Sequence, residues 1–258
     1  MITLTSGQIE TWLAAWLWPF VRIGACLMVA PMFGASFVPA RMRLVMAGAI
    51  TLLVAPMLPQ PQVAMFSMQG VIITVQQLLI GVAIGFVLQI VFDSLAMGGQ
   101  LLANTMGLSF AFNVDPLRGT GSPVVGQFYT LVATLTFLAL NGHIAIVQAL
   151  TDGFVTLPVS ADGLNPQGFW QIAAWGTQLF RGALMVALPG VTALLIVNLA
   201  FGVVSRAAPS LNLFAIGFPV TLFAGLAIIW AGLPAMQSSF VRLMRDAMSF
   251  VVSLQGGG

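Results

Sequence analysis

The chain has 258 residues, of which 59% are hydrophobic and only 5% charged, with a formal net charge of +2 and a mean hydropathy of +1.04. A soluble domain carries roughly a quarter charged residues, so this balance excludes an ordinary water-soluble globule. The pI near 9.5 comes with no basic stripe to follow a phosphate backbone, which excludes nucleic acid as a partner.

Four stretches contain no Asp, Glu, Lys or Arg: Leu44 to Phe92, Gly119 to Thr151, Gly182 to Ser205 and Ala207 to Val241. A spanning helix needs only about 20 apolar residues, and in hydrocarbon every backbone polar group must be paired within the chain. The runs do not alternate as barrel strands would. The expectation is therefore an all-α membrane protein of about six long, kinked apolar helices arranged as hairpins, with no separate soluble domain.

The first helix is expected over 8–32, with Thr5 and Gln8 at the spacing of a capping box and no basic start of a secretory signal. Trp12, Trp16 and Trp18 suit a membrane interface. Arg22 lies among apolar residues, where it either snorkels or pairs with Asp93 or with another subunit. The second helix, over 40–58, opens on Arg41 and Arg43.

The third helix, over 69–105, carries Gln89, Asp93, Gln100 and Asn104 at spacings that put them on one face. This polar seam is either a hydrogen-bonded packing seam or a pore-lining stripe. Asp93 is costly toward lipid, so it faces a partner helix, an Arg or water. Gly81-xxx-Gly85 and Ser94-xxx-Gly98 on the same helix would let another backbone approach closely.

The connection Met106 to Ser122 combines three glycines and a proline with an apolar Phe110-Ala111-Phe112 core. Ordinary exposed loops are polar. An apolar, nonhelical segment is tolerated at membrane depth only when it is buried in protein or lines a cavity; the plain alternative is an interhelical loop tucked against its neighbours.

The fourth helix is expected over 123–151, the fifth over 168–205 and the sixth over 211–254, with bends rather than breaks at Pro189, Pro219 and Pro234. Near the C-terminus Phe240, Leu243, Met244, Ala247, Met248 and Val251 share a face opposite Arg242, Arg245, Asp246 and Ser249. That face would lie on a membrane or dock on a partner helix. All eight basic residues are Arg, and six spans put Arg41, Arg43, Arg118 and Arg206 on one side. Glu10, Asp152 and Asp162 fall on the other with Arg242, Arg245 and Asp246. An Arg excess in short loops marks the cytoplasmic face, so both termini are expected outside the cytoplasm.

Chemistry is sparse. Cys26 and His143 are each single, so there is no intramolecular disulfide and no His/Cys cluster for a metal; both read as packing residues or helix contacts. Gly107-Leu-Ser-Phe-Ala111 is not read as a nucleophile elbow, which needs a strand before it and an Asp/Glu then a His after it, because no strand is expected and the lone His143 precedes Asp152. Gly119-Thr-Gly121 lacks the spacing of a phosphate loop. No enzyme, cofactor or metal is expected.

The run Met97-Gly-Gly-Gln-Leu-Leu-Ala-Asn-Thr-Met-Gly-Leu-Ser-Phe-Ala-Phe-Asn-Val-Asp-Pro116, with Val204-Ser-Arg-Ala-Ala-Pro-Ser-Leu-Asn212 and Ile216-Gly-Phe-Pro219, resembles the FliR family of flagellar biosynthetic proteins. That family is homologous to the export-gate T subunit of virulence type III secretion systems. The resemblance spans essentially the whole chain. It implies a noncatalytic subunit of the flagellar export gate in the bacterial inner membrane and flagellar basal body, assembled with FliP-like and FliQ-like subunits, touched by an FlhB-like one, and passing unfolded export substrates.

It also implies that residues 1–170 are similar to FliP and 171–258 to the FliQ hairpin. In this family the connection after the third helix plugs the pore, which maps onto 106–122 and places Met106, Gly107, Phe110, Ala111, Phe112, Asn113, Gly119 and Gly121 in the plug. Arg206, Pro209 and Asn212 map to a cytoplasmic hairpin loop, and the seam residues to subunit contact. The competing reading is a self-contained transporter or small-solute channel. Such a protein would show paired half-sequences with ionisable residues at corresponding places, and Asp93 has no counterpart. Asn165-Pro166-Gln167 is a single copy, which speaks against an aquaporin-like channel.

Overall fold

The computed structural model describes residues 6–34, 38–59, 63–108, 124–161, 163–207 and 213–256. Among them lie α1 (Ser6–Val29), α2 (Ala40–Val54) ending in a 3₁₀ turn (Ala55–Met57), α3 (Met68–Thr105), α4 (Val124–Ala139), α5 (Gly142–Thr156), α6 (Pro166–Trp175), α7 (Thr177–Ala207) and α8 (Leu213–Gln255). No strand occurs among the described residues. Among the described residues five spans are long and apolar enough to cross a membrane, in α1, α2 with its 3₁₀ turn, α3, α6–α7 taken together and α8, or six if the bent pair α4–α5 forms one. Thr5 of the expected capping box lies outside the described residues.

Two expected helices are divided. The expected fourth helix is interrupted where Asn141 adopts φ 55°, and α4 and α5 meet at 66°. A non-glycine residue in the left-handed region cannot continue a right-handed helix, and Asn tolerates that region better than most. The fifth is interrupted at Gly176, between α6 and α7. Pro189, Pro219 and Pro234 all lie inside continuous helices.

Asn165-Pro166-Gln167 is a helix start. Asn165 Oδ1 accepts from the Gly168 N–H at 2.6 Å, with Pro166 in the first turn. The cap supplies a partner for an N–H that the helix cannot pair, and Pro has none to lose there.

The chain forms two compact units whose segments interleave: Met1–Ile90 with Leu138–Gly176 and Arg245–Gly258, and Val91–Phe137 with Thr177–Met244. In the first unit, Ile23, Leu27, Ala47, Val54 and Phe154 form a core, and Ala14, Trp18 and Ile73 form a second cluster. α1 and α3 touch through glycine: a Cβ on Gly81 would fall on the Arg22 carbonyl, and one on Gly85 would lie 2.8 Å from the Cys26 carbonyl. Trp175 stacks on Phe250 at 4.4 Å between ring centres and donates Nε1–H to the Val87 carbonyl at 3.2 Å.

In the second unit Phe92 meets Phe137 and Phe240 edge-on at 5.7 and 5.3 Å. The geometry suits rings whose edges are positive and faces negative. α3 and α7 approach closely at the second small-residue pair. Gly98 leaves only 3.1 Å between an added Cβ and the Ala183 carbonyl, and Ser94 packs where Gly182 has no side chain. Both small-xxx-small motifs read from the sequence therefore serve helix approach.

Candidate functional site

The C-terminal end of α3 is where the expected plug begins. Gly107 has φ 79°, its N–H donates to the Asn104 carbonyl at 3.1 Å, and the Leu108 N–H donates to the Ala103 carbonyl at 3.0 Å. This is a Schellman motif with glycine at the left-handed position. Asn198 of α7 donates its Nδ2–H to the Thr105 carbonyl at 3.3 Å. Met106 is buried, its side chain lying where a Cβ on Gly225 of α8 would be. The end of α3 is thus capped, hydrogen-bonded and wedged before the chain leaves it.

Of the expected plug residues, Met106 is buried and Gly107 half-buried; Phe110, Ala111, Phe112, Asn113, Gly119 and Gly121 lie outside the described residues, as do Pro209 and Asn212 of the hairpin loop. Arg206 is exposed in the last turn of α7, where a cation complements the carbonyl end of the helix dipole. Along the seam Gln89 is half-buried, while Asp93, Gln100 and Asn104 are exposed. Gln89 and Asp93 each have an interaction partner. Three of the four seam residues thus present polar groups on the surface of the single chain.

Arg22 takes neither place expected of it. It is fully buried, with Nε donating to Gln77 Oε1 at 2.7 Å, Nη1 to the Gly153 carbonyl at 3.1 Å and Nη2 to the Leu157 carbonyl at 2.9 Å. Its guanidinium carbon lies 4.3 Å from the centre of the Phe154 ring. The cation therefore sits at the C-terminal end of α5, adding a second donor to the Gly153 carbonyl, which already accepts from the Leu157 N–H, and pairing the carbonyl of Leu157, the residue that follows the helix; it gains there from the dipole and the ring face. It neither snorkels nor pairs with Asp93. The partners lie 55, 131 and 135 residues along the chain, and no local spacing announces them.

Trp18 also departs from an interfacial role: it is fully buried and donates Nε1–H to Thr74 Oγ1 at 3.0 Å. Cys26 is buried and free. The apolar face near the C-terminus is used inside the chain, since Phe240, Leu243, Met244, Ala247 and Val251 are all buried. No group of three potential metal ligands occurs among the described residues.

Residues 13–247 match the family model described as "Bacterial export proteins, family 1". The chain is 40% identical to the flagellar biosynthetic protein FliR of Escherichia coli K12 over 254 residues, covering 98% of this chain and 97% of that protein. Identity is also 40% to FliR of Pectobacterium carotovorum over the same length and shares. It is 31% to FliR of Aquifex aeolicus over 241 residues, 92% of each chain. These matches run through every helix described above, and the chain belongs to the FliR family of bacterial flagellar export proteins.

Proposed function

We propose that the chain is a noncatalytic core subunit of the flagellar type III protein export gate, helping to form and plug the channel through which unfolded flagellar proteins leave the cell. The observation that carries this reading is the near-complete match to FliR proteins at 40% identity. Its place is the bacterial inner membrane at the flagellar basal body. Its partners are FliP-like and FliQ-like subunits, and an FlhB-like subunit touches the assembly. Residues 1–170 correspond to the FliP-like part and 171–258 to the FliQ-like hairpin.

The surface supports an assembled life. Half of the apolar window of α1 and of α3 is buried within the chain, against 17% for α6–α7 and for α8. The outer faces of α7 and α8 are accordingly left to lipid and to partner subunits. The test is removal of the chain from a flagellated cell: secretion of hook and filament proteins should stop and return when the chain is resupplied. Continued secretion without it would overturn the proposal, as would a stable homo-oligomer purified without partners.

Two predictions belong to this reading. Asp93→Leu removes a polar group from a seam assigned to subunit contact and strands its partner, at about 1–3 kcal/mol. Copurification with the FliP-like and FliQ-like subunits should weaken by roughly tenfold; undiminished recovery of the complex in detergent would remove the seam from the interface. Replacing Phe110 and Phe112 together by Ser should raise ion leakage while the complex still forms, because crowded apolar side chains exclude water from a narrow pore. Membrane conductance and growth under a solute challenge report the effect. A complete complex as tight as the parent would make this segment an ordinary loop.

A further inference from the structure

The second unit holds a cavity of about 300 Å³ between α7 and α8, floored by Leu102 of α3 and Tyr129 of α4. Native interiors rarely leave voids larger than a water molecule. The space exists because small residues stand where the helices face each other. A Cβ on Gly190 would press against Leu102, whereas one on Gly232 would meet nothing within 4 Å. Along α8 the lining runs from Ile228 to Ser239, about 16 Å at 1.5 Å per residue. The cavity is thus long, largely apolar and bounded by two helices whose outer faces are exposed and hydrophobic.

One end is marked by charge. Ser239 lines the cavity and is buried, and its Oγ accepts a hydrogen bond from Arg242 Nη2 at 3.0 Å. Arg242 is exposed and is the first charged residue after the uncharged run Ala207 to Val241. A guanidinium has five N–H donors, of which Ser239 engages one, and its fork matches phosphate oxygens two at a time. An apolar slot ending at a cation where hydrocarbon gives way to polar sequence has the polarity of a phospholipid.

We propose that this cavity binds one anionic phospholipid, an acyl chain lying along α8 past Gly232 and the phosphate resting on Arg242. The lipid fills the gap between α7 and α8 that the side chains leave, and so acts as a packing element of the hairpin. The charge at one end favours a lipid over an apolar side chain from a partner subunit, which would need no cation.

The experiment uses the full chain purified with its partner subunits in mild detergent, with native mass spectrometry after exposure to phosphatidylglycerol or phosphatidylcholine. One phosphatidylglycerol per chain should survive in preference to phosphatidylcholine. Gly232→Leu, filling the open space, should lower that retention at least tenfold, while Gly48→Leu, at an open position on α2, leaves it unchanged. Arg242→Gln should bring the two lipids to near-equal retention. The proposal is overturned by a parent complex that keeps no phosphatidylglycerol, by equal retention in Gly232→Leu, or by density for a neighbouring subunit inside the cavity. If Gly232→Leu does not assemble, Arg242→Gln decides: an unchanged preference overturns the site and a lost preference supports it.

Discussion

Arg22→Met should lower the stability of the protein by about 2–4 kcal/mol, the cost of leaving its neutral acceptors unpaired. The methionine fills much of the arginine's volume but leaves its acceptors behind. Gln77 Oε1 and the Leu157 carbonyl would both be stranded, and the Gly153 carbonyl would keep only the Leu157 N–H. Stranding the buried Gln77 Oε1 costs about 1–3 kcal/mol, and the half-buried Leu157 carbonyl, which water can partly serve, costs less. Arg22→Lys should recover only part of the loss, because a point charge cannot span three acceptors held by a planar fork. Thermal unfolding of the detergent-solubilised complex would show the midpoint falling by roughly 10 °C for the Met variant, at about 2–4 °C per kcal/mol for a chain of this size. A Met variant melting with the parent would mean that water, not Arg22, serves the end of α5.

Gly81→Ala and Gly48→Ala should move stability in opposite directions although both add one methyl group inside a helix. The Cβ at Gly81 would fall on the Arg22 carbonyl and lie 2.8 Å from Ala25 Cβ, whereas at Gly48 it meets nothing within 4 Å. Overpacking of the first kind costs about 1–3 kcal/mol, occasionally more, and here it pushes on the residue that sits at the end of α5. At the open site alanine reduces the freedom of the unfolded chain and gains about 0.4–1 kcal/mol. The same melting experiment reads both. A shift of the same sign in the two variants would mean that α1 and α3 do not depend on this close approach.

Much of the architecture was legible because hydrocarbon permits so few choices. The charge-free runs located the apolar helices, and the glycine and serine spacings of α3 marked the two faces that other helices approach. The small set of motifs from Met97 to Pro219 carried the family. The break between α4 and α5 had a visible signal, since Asn141-Gly142 is a common turn dipeptide, but it stands inside a run whose hydropathy argues for continuity. Asn165-Pro166 reads equally as a loop until the following helix shows which residue it caps. The environment of Arg22 was out of reach because each acceptor belongs to a distant element. Two of them are main-chain carbonyls, a group that every residue carries and that no sequence pattern singles out.

The lengths of α3 and α8 set a demand that a bilayer alone cannot meet. At 1.5 Å per residue, the 38 residues of α3 and 43 of α8 reach about 57 and 65 Å, against roughly 30 Å of hydrocarbon. Fitting α3 within that thickness would take a tilt near 60°, well past the roughly 40° limit seen for membrane helices. Hydrophobic mismatch of this size pushes apolar turns into headgroups or water unless other protein covers them. In the assembly proposed above those turns are covered by neighbouring subunits, and a copy without companions would leave them bare.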